Sequence, residues 1–209
     1  MTDSQLLGSQ PVSTLREQVQ LAIQAGADWI QIREKNLEGW KLLDLTRAVV
    51  RMARAHGRAE ARVIVNDRAD VAIAAGASGV HLGGNSASAK DVATWLRSSA
   101  AAQDFLIGVS CHSLEEIQHA EHAGADYVFF GPIFDTPSKR TYGAPLGLAM
   151  LRDACHASRI PVIAIGGIDL RGVEACLEAG AGGIAAIRLF QDRDAANVRE
   201  AVEKVHASR

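Results

Sequence analysis

Four similar phrases recur along the chain, and this repetition limits the folds open to it more than any other feature. Each phrase begins with Ala-Gly-Ala at the end of a helical pattern and continues into a short apolar run typical of a buried strand. The phrases lie about fifty residues apart, the spacing expected of two βα units in a repeating architecture. They are AGADWIQI from Ala25, AGASGVHL from Ala75, AGADYVFF from Ala123 and AGAGGIAA from Ala179. Their glycines are expected in the left-handed conformation that glycine tolerates: Gly26, Gly76, Gly124 and Gly180.

Three more apolar runs lie between these phrases, RVIVND, FLIGVS and PVIAIGG, and a helical pattern follows each of them. Together with the phrases, they predict seven buried parallel strands separated by helices. This alternation is typical of a (β/α)8 TIM barrel, with a doubly wound open sheet as the alternative, and the recurrence in pairs favours the barrel. The predicted strands are Trp29–Ile32, Arg62–Asn66, Gly79–Leu82, Leu106–Ser110, Tyr127–Phe130, Pro161–Ile165 and Gly183–Ile187.

An eight-stranded barrel needs one more strand before the helix predicted over Ser13–Gln24, and few residues precede that helix. The segment MTDSQ is interpreted either as the end of a shortened first strand or as a sign that the true start lies upstream. A barrel that lacks a strand would expose two unpaired edges, which favours association. The sequence contains no linker or low-complexity segment, so residues 1–209 are predicted to form a single TIM-barrel domain.

The composition argues against several classes of partner. The 209 residues carry a formal net charge of −2, which gives no electrostatic basis for binding nucleic acid or an anionic membrane. No apolar run approaches the length of a membrane span and no signal pattern is present, so a cytoplasmic location is expected. The sequence gives no direct signal of oligomeric state, and a homodimer is compatible with it. The three cysteines lack the spacing of a disulfide framework or zinc site, and Cys111 is predicted to be a buried thiol rather than a reactive one.

Polar residues follow nearly every predicted strand, and in a barrel the carboxyl ends of the strands carry the active site. The stretch Tyr127–Gly143 is the richest example, because its strand breaks at Gly131-Pro132 and opens into a loop with two hydroxyls and two cations. Such side chains suit an anionic, oxygen-rich group such as phosphate, although a solvated polar turn fits the same composition. The four residues are Thr136, Ser138, Lys139 and Arg140.

Other strand ends add groups that bind phosphate. Arg33 and Lys35 supply positive charge after the first predicted strand, and Arg188 supplies it after the last. Gly166 and Gly167 let backbone N–H groups approach an anion closely, ahead of the next helix. The strand ends therefore predict a site for a phosphorylated ligand.

Two titratable residues are candidates for the chemistry. Asp67 is the carboxylate best placed to hold a Mg²⁺ ion, which takes one or two carboxylates together with substrate phosphate, and the alternative is an N-cap of the next helix. His112 lies at a predicted strand end with polar neighbours and suits a general acid or base, and the alternative is capping or packing at the helix Ser113–Ala123. His81 lies inside the apolar run GVHL and is predicted to be a core residue.

These strand ends resemble the thiamine phosphate synthase and thiazole tautomerase family of TIM barrels. The resemblance runs from Trp29 to about Ile187 and rests on motifs that occur in the same order. They are IQIREK, similar to a pyrophosphate-binding segment, IVND with its Asn-Asp pair, GVSCHS with its Ser and His, the loop GPIFDTPSKRTYG, and the phosphate-binding turn PVIAIGGI.

The resemblance implies a transferase that joins hydroxymethylpyrimidine diphosphate to thiazole phosphate, releasing pyrophosphate and forming thiamine phosphate. Ionisation of the pyrimidine carbon–oxygen bond would precede attack by the thiazole nitrogen. The cofactor would be Mg²⁺ on Asp67, and the partners would be small phosphate and diphosphate substrates. The implied catalytic residues are Ser110, near the pyrimidine, with His112 and Lys139. The implied substrate-binding residues are Arg33, Lys35 and Asn66, with Lys139, for the diphosphate, and Thr136, Ser138 and the backbone at Gly167 for the thiazole phosphate. Gly166, Ile187 and Arg188 are also predicted to bind substrate.

Two positions depart from the synthase pattern and keep other functions open. Where synthases usually read Gly-Gln-x-Asp, with the aspartate as a second magnesium ligand, this chain reads GGNS from Gly83. Where the last strand usually ends in Ile-Ser, this chain has Ile187-Arg188. The first difference favours a thiazole tautomerase, a metal-free isomerase with a histidine at the position of His112, and the stretch HLGGNSAS resembles that branch. A non-catalytic barrel that binds thiazole phosphate or thiamine phosphate is the other alternative.

Overall fold

The computed structural model describes residues 1–4, 11–55, 61–97, 104–136, 144–191 and 195–207. Strands and helices alternate along these ranges, as the sequence predicts. The strands are β1 Trp29–Ile32, β2 Arg62–Asn66, β3 Gly79–Leu82, β4 Leu106–Cys111, β5 Tyr127–Phe130, β6 Val162–Ile165 and β7 Gly183–Ala185. The helices are α1 Pro11–Ala25, α2 Gly39–Ala55, α3 Ala69–Ala75, α4 Ala89–Arg97, α5 Leu114–His122, α6 Gly147–Ala157, α7 Leu170–Glu178 and α8 Ala195–Ala207.

Within the described residues, seven strands form one parallel sheet in the order of the sequence. Each strand pairs with its neighbours along the chain, so that Gly79 of β3, for example, lies opposite Leu106 of β4. Because a helix separates consecutive strands, all the carboxyl ends meet at one rim of the sheet. The seven predicted strands are confirmed, with β4 extended to Cys111, β6 beginning at Val162 and β7 ending at Ala185 instead of Ile187.

The sheet curls into a half-barrel similar to a TIM barrel, and the predicted complete (β/α)8 barrel is not confirmed. In the described part of the chain, no strand joins β7 to β1. Met1 and Thr2 lie between these strands instead. The Met1 nitrogen donates to the Ala186 carbonyl oxygen at 3.2 Å, and the Thr2 nitrogen donates to the Gln31 carbonyl oxygen at 2.8 Å. In place of the shortened first strand predicted in MTDSQ, two residues form one backbone hydrogen bond each, Met1 to the residue after β7 and Thr2 to β1.

A cavity of about 410 Å³ lies between β1 and β7. Its walls include Val19 of α1 and Val202 of α8. Asp28 and Gly182, which precede β1 and β7, line the same space. Gln31 of β1 and Ala186, which follows β7, line it as well, so the cavity extends from the amino-terminal ends of these strands toward the rim.

Apolar layers on both faces of the sheet stabilise the fold. Ile32 faces outward, packs in a cluster with residues of α1 and α2, and is 1% exposed. An aromatic layer fills the inner face, where the Trp29 and Tyr127 rings meet edge to face with centroids 4.6 Å apart. The His81 and Phe129 rings lie 4.1 Å apart in the same layer, and His81 is 2% exposed. The prediction that His81 is a core residue is confirmed.

The glycines of the four repeated phrases end their helices as predicted. A left-handed residue lets the chain leave the helix sharply and start the next strand within a few residues. The φ angles are 102° at Gly26, 67° at Gly76, 88° at Gly124 and 97° at Gly180.

The described residues also bear on two predictions made from composition. Cys111 is a fully buried free thiol, as predicted, and burial raises its pKa to about 12. Among the helices of the described ranges, none combines the length and the apolar composition needed to cross a membrane.

Candidate active site

The carboxyl ends of β1 and β2 bring several predicted site residues to adjacent positions. Arg33 follows β1, and its Nη1 lies 3.5 Å from the Asp3 carboxylate. Lys35 lies two residues further on and is exposed. Asn66 ends β2, which pairs directly with β1. This part of the rim therefore presents two cations beside an amide.

Asp67 follows β2 in a left-handed conformation, with a φ of 62° that is uncommon for a residue with a side chain. Asn66 Nδ2 donates to one carboxylate oxygen at 2.6 Å. The other oxygen accepts from the Ser86 hydroxyl and, at 3.4 Å, from the Gly83 nitrogen. The carboxylate does not cap α3, whose N-cap residue is Arg68, so the N-cap interpretation is wrong. Asp67 instead joins the ends of β2 and β3.

Gln31 is a buried polar residue that the sequence analysis did not assign to the site. It alternates in β1 with Ile30 and Ile32, which pack outward, so its side chain points into the inner face of the sheet. Gln31 is 5% exposed, and its Nε2 donates to Asn66 Oδ1 at 3.1 Å. Its Oε1 has no hydrogen-bond partner within the described ranges. A glutamine inside an otherwise apolar strand was the available signal, and its free acceptor suits an N–H or O–H donor of a ligand.

Ser110 lies near the carboxyl end of β4, where its hydroxyl contacts a buried histidine of β3. The distance from Ser110 Oγ to His81 Nε2 is 2.9 Å, and His81 Nδ1 lies 3.2 Å from the Tyr127 hydroxyl. Burial lowers the pKa of His81 to about 3, against the opposing effect of the Asp67 charge. The imidazole is therefore neutral near pH 7 and acts as a hydrogen-bonding group toward Ser110.

His112 follows β4 and is exposed at the rim. Its Nδ1 contacts the Gly131 carbonyl oxygen, which can only accept, so Nδ1 carries the hydrogen and Nε2 keeps its lone pair. Its backbone nitrogen donates to Glu116 Oε2 at 2.5 Å. Ser113 is the N-cap residue of α5, so the capping role considered for His112 belongs to its neighbour. The outward nitrogen of His112 can accept a proton.

The loop after β6 packs tightly against the loop after β5. Gly166 and Gly167 have φ angles of 95° and 69°. A Cβ at Gly166 would lie 2.6 Å from Pro132 Cα, and one at Gly167 would lie 2.6 Å from the Phe134 carbonyl oxygen. The Phe134 nitrogen donates to the Gly166 carbonyl oxygen at 3.0 Å. These contacts hold the glycine turn beside the segment that leads to Thr136.

Three of the predicted phosphate-binding residues, Ser138, Lys139 and Arg140, lie outside the described residues, and their roles stay predictions. Ile187 and Arg188 follow β7 in a turn, with Arg188 exposed. The described strand ends thus place the predicted residues on one rim, with the cations at both ends of the strand order.

Asp67, which follows β2, is the carboxylate that the sequence predicts for Mg²⁺. Mg²⁺ usually keeps several waters and binds through one or two carboxylates plus substrate phosphates. Over the ranges that the structure describes, no group of three or more His, Cys, Asp or Glu side chains could hold a metal ion. The residues present therefore fit an ion coordinated mainly by water and by a substrate diphosphate.

Comparison with known proteins gives consistent results. The family model described as "Thiamine monophosphate synthase" matches residues 2–190. A putative thiamine-phosphate synthase of Geobacter sulfurreducens is 43% identical over 169 residues, which cover 81% of this chain and 76% of that protein. A thiamine-phosphate synthase of Chlorobium phaeobacteroides is 41% identical over 167 residues, covering 80% and 77%. The solved structure of a thiamine phosphate pyrophosphorylase from Pyrococcus furiosus superimposes with a TM-score of 0.84 at 31% identity, covering 99% of this chain and 94% of that one.

Proposed function

The chain belongs to the thiamine monophosphate synthase family, and from this premise we propose a specific transfer reaction. Hydroxymethylpyrimidine diphosphate and thiazole phosphate are joined into thiamine phosphate, and pyrophosphate is released. The methylene carbon–oxygen bond of the pyrimidine substrate breaks, and its electron pair leaves with pyrophosphate. The thiazole nitrogen then forms a bond to the methylene carbon.

One observation carries this proposal: Arg33 and Lys35 follow β1 directly beside Asn66 and Asp67, which end and follow β2. Negative charge grows on the diphosphate as it departs, and fixed cations aimed at that position stabilise it. In the proposed reaction Arg33 and Lys35 hold the diphosphate, with Lys139 joining them from the loop after β5. Mg²⁺, when bound at Asp67, would neutralise further charge on the diphosphate.

The other substrate groups are assigned to the rest of the rim. The backbone at Gly167, with Gly166 and Thr136, receives the thiazole phosphate, because backbone N–H groups in a glycine turn ahead of a helix can donate to an anion. Gln31 and Ser110 lie deeper, and their polar atoms orient the pyrimidine ring. The two phosphorylated substrates thus approach from opposite parts of the strand order, with the reacting atoms between them.

The test is pyrophosphate release from the two substrates, measured with Mg²⁺ and with a chelator. We expect magnesium-dependent release, and we expect Arg33→Ala to lower kcat/KM by about a hundredfold because a charge contact to the leaving group is lost. Arg51→Ala is the matched control, since Arg51 is an exposed arginine of α2, away from the rim. Folded protein that binds thiazole phosphate but releases no pyrophosphate would contradict the proposal.

A second candidate, aromatisation of a thiazole carboxylate phosphate, is supported by the outward-facing Nε2 of His112. This isomerisation moves a proton and needs neither a diphosphate clamp nor a metal ion. It can be followed by NMR of the thiazole substrate in the presence of a chelator. If it is the reaction, His112→Ala should abolish it, whereas the same substitution should lower synthase turnover only slightly.

A further inference from the structure

Three polar side chains form a chain of hydrogen bonds through the aromatic layer on the inner face of the sheet. Tyr127 of β5 is 1% exposed and His81 of β3 is 2% exposed. The Tyr127 hydroxyl lies 3.2 Å from His81 Nδ1, and His81 Nε2 lies 2.9 Å from the Ser110 hydroxyl on β4. The chain runs from the buried layer to the half-buried Ser110 at the rim.

The burial of Tyr127 fixes the direction of these hydrogen bonds. A neutral imidazole has one nitrogen that donates and one that accepts. If Nδ1 of His81 carried the hydrogen, the Tyr127 O–H would be buried without an acceptor among the described residues, which is unfavourable. The favourable arrangement has Tyr127 donating to Nδ1. Nε2 of His81 then carries the hydrogen and donates to Ser110 Oγ.

Gly108 shows that the position of the Tyr127 hydroxyl is built into the fold. A Cβ at Gly108 would lie 2.4 Å from the Tyr127 hydroxyl oxygen and 2.0 Å from its Cζ. Only glycine leaves room at this point of β4 for the ring to reach His81. The sheet therefore seats the phenol beside the imidazole by shape as well as by hydrogen bonding.

We propose that Tyr127 and His81 are positioning residues that fix the Ser110 hydroxyl as a hydrogen-bond donor toward the substrate. Because Ser110 Oγ accepts from His81, its own hydrogen is directed elsewhere, and the half-buried position of Ser110 near the carboxyl end of β4 leaves it accessible to a ligand. Ser110 then selects an acceptor atom, such as an unprotonated ring nitrogen of the pyrimidine. The identity of the ligand that carries this acceptor atom rests on the proposed function, whereas the direction of the hydrogen bonds does not.

The direction is tested without substrate by long-range ¹H–¹⁵N NMR of the histidine rings. The His81 signals are assigned by their loss in His81→Gln. We expect a neutral ring with hydrogen on Nε2, unchanged across neutral pH. A ring with hydrogen on Nδ1, or a charged ring, would overturn the proposal whether or not the protein is a synthase.

The positioning role is tested by kinetics of Tyr127→Phe, which removes one hydroxyl and keeps the ring. Without the Tyr127 hydroxyl, the hydrogen on the His81 ring is free to move from Nε2 to Nδ1. We therefore expect kcat/KM for the pyrimidine diphosphate to fall about tenfold, the effect of one hydrogen bond. In Ser110→Ala, kcat/KM should fall at least as far. The variant that combines Tyr127→Phe with Ser110→Ala should have the same kcat/KM as Ser110→Ala alone. Independent, additive losses would mean that Tyr127 does not act through Ser110.

Two further variants separate positioning from structure. His81→Gln keeps an N–H that can reach Ser110 and should retain more activity than His81→Leu, which has none. Ile163→Val trims the same inner layer without touching the chain of hydrogen bonds and should leave kcat/KM unchanged. If Ile163→Val loses as much activity as Tyr127→Phe at equal stability, the effect is packing and the proposal fails.

Discussion

His81 shows how one residue can couple the packing of the core to pH. Burial lowers its pKa to about 3, so the folded protein keeps the ring neutral where the unfolded chain protonates it. The contribution of such a group to stability is fully present above its pKa in the unfolded chain, about 6.5. It is lost as the pH falls from there toward the lower pKa of the folded protein.

The corresponding prediction compares wild type with His81→Gln, which does not titrate. Between pH about 6 and 4, the free energy of unfolding of wild type should fall by about 1.4 kcal/mol per pH unit more steeply than that of the variant. Urea unfolding at a series of pH values measures both slopes, and carboxylates common to the two proteins cancel in the difference. Parallel slopes would mean that His81 takes up a proton in the folded state.

At the scale of elements, the two glycines after β6 determine how the loops of the rim fit together. Gly167 is left-handed, and its missing side chain leaves room for the Phe134 carbonyl oxygen. Gly84, between β3 and α4, has no atom within 4 Å of a built Cβ. The two glycines therefore allow a matched comparison, because a side chain would meet neighbouring atoms at Gly167 and open space at Gly84.

We expect Gly167→Ala to lower the free energy of unfolding by about 1–3 kcal/mol, through strain at positive φ together with the displaced carbonyl. Gly84→Ala should change it by less than about 0.5 kcal/mol. Thermal and urea unfolding of both variants provide the comparison. Equal stabilities would show that the loop after β5 can move away from the glycine turn at no cost.

Features that depend on local periodicity could be predicted from the sequence, whereas those that depend on register could not. The left-handed ends at Gly26 and its three counterparts follow from helix termination alone, and the rim position of Asp67 follows from the order of strands. The contact of Ser86 with Asp67 joins residues on different strand ends, and no repeat in the sequence encodes it. Likewise, the sequence indicates only that Tyr127 is a core residue. The register of β4 with β5 places it opposite Gly108.

At the scale of the whole molecule, Met1 and Thr2 connect the two edges of the sheet through backbone hydrogen bonds, one residue to each edge. Thr2 is 4% exposed, and its side-chain oxygen accepts the Arg33 backbone N–H at 2.9 Å. Its nitrogen also donates to Gln31 on β1. Thr2, which follows Met1 and bonds to the β1 edge, therefore also orients the start of the segment that carries Arg33 and Lys35.

Thr2→Val keeps the shape of the side chain and removes the acceptor, so the Arg33 N–H is left unpaired. We expect a loss of about 1–3 kcal/mol in the free energy of unfolding. Thr94→Val is the control, since Thr94 is exposed on α4, where its hydroxyl donates to the Lys90 carbonyl oxygen. It should change stability by less than about 0.5 kcal/mol. A Thr2 variant as stable as the control would show that another group takes over the N–H.

The bridge from Met1 to Ala186 spans 185 positions of the chain, whereas each strand pair of the sheet joins consecutive βα units. Loop-closure entropy delays contacts between distant residues, so neighbouring units should assemble first and the bridge should form after the rate-limiting step of folding. Thr2 follows Met1, so removing its acceptor loosens the chain beside this bridge. The substitution should then accelerate unfolding and leave the refolding rate nearly unchanged. The rim near Arg33, which bonds to Thr2 directly after the bridging Met1, would be the last part of the molecule to form and the first to open.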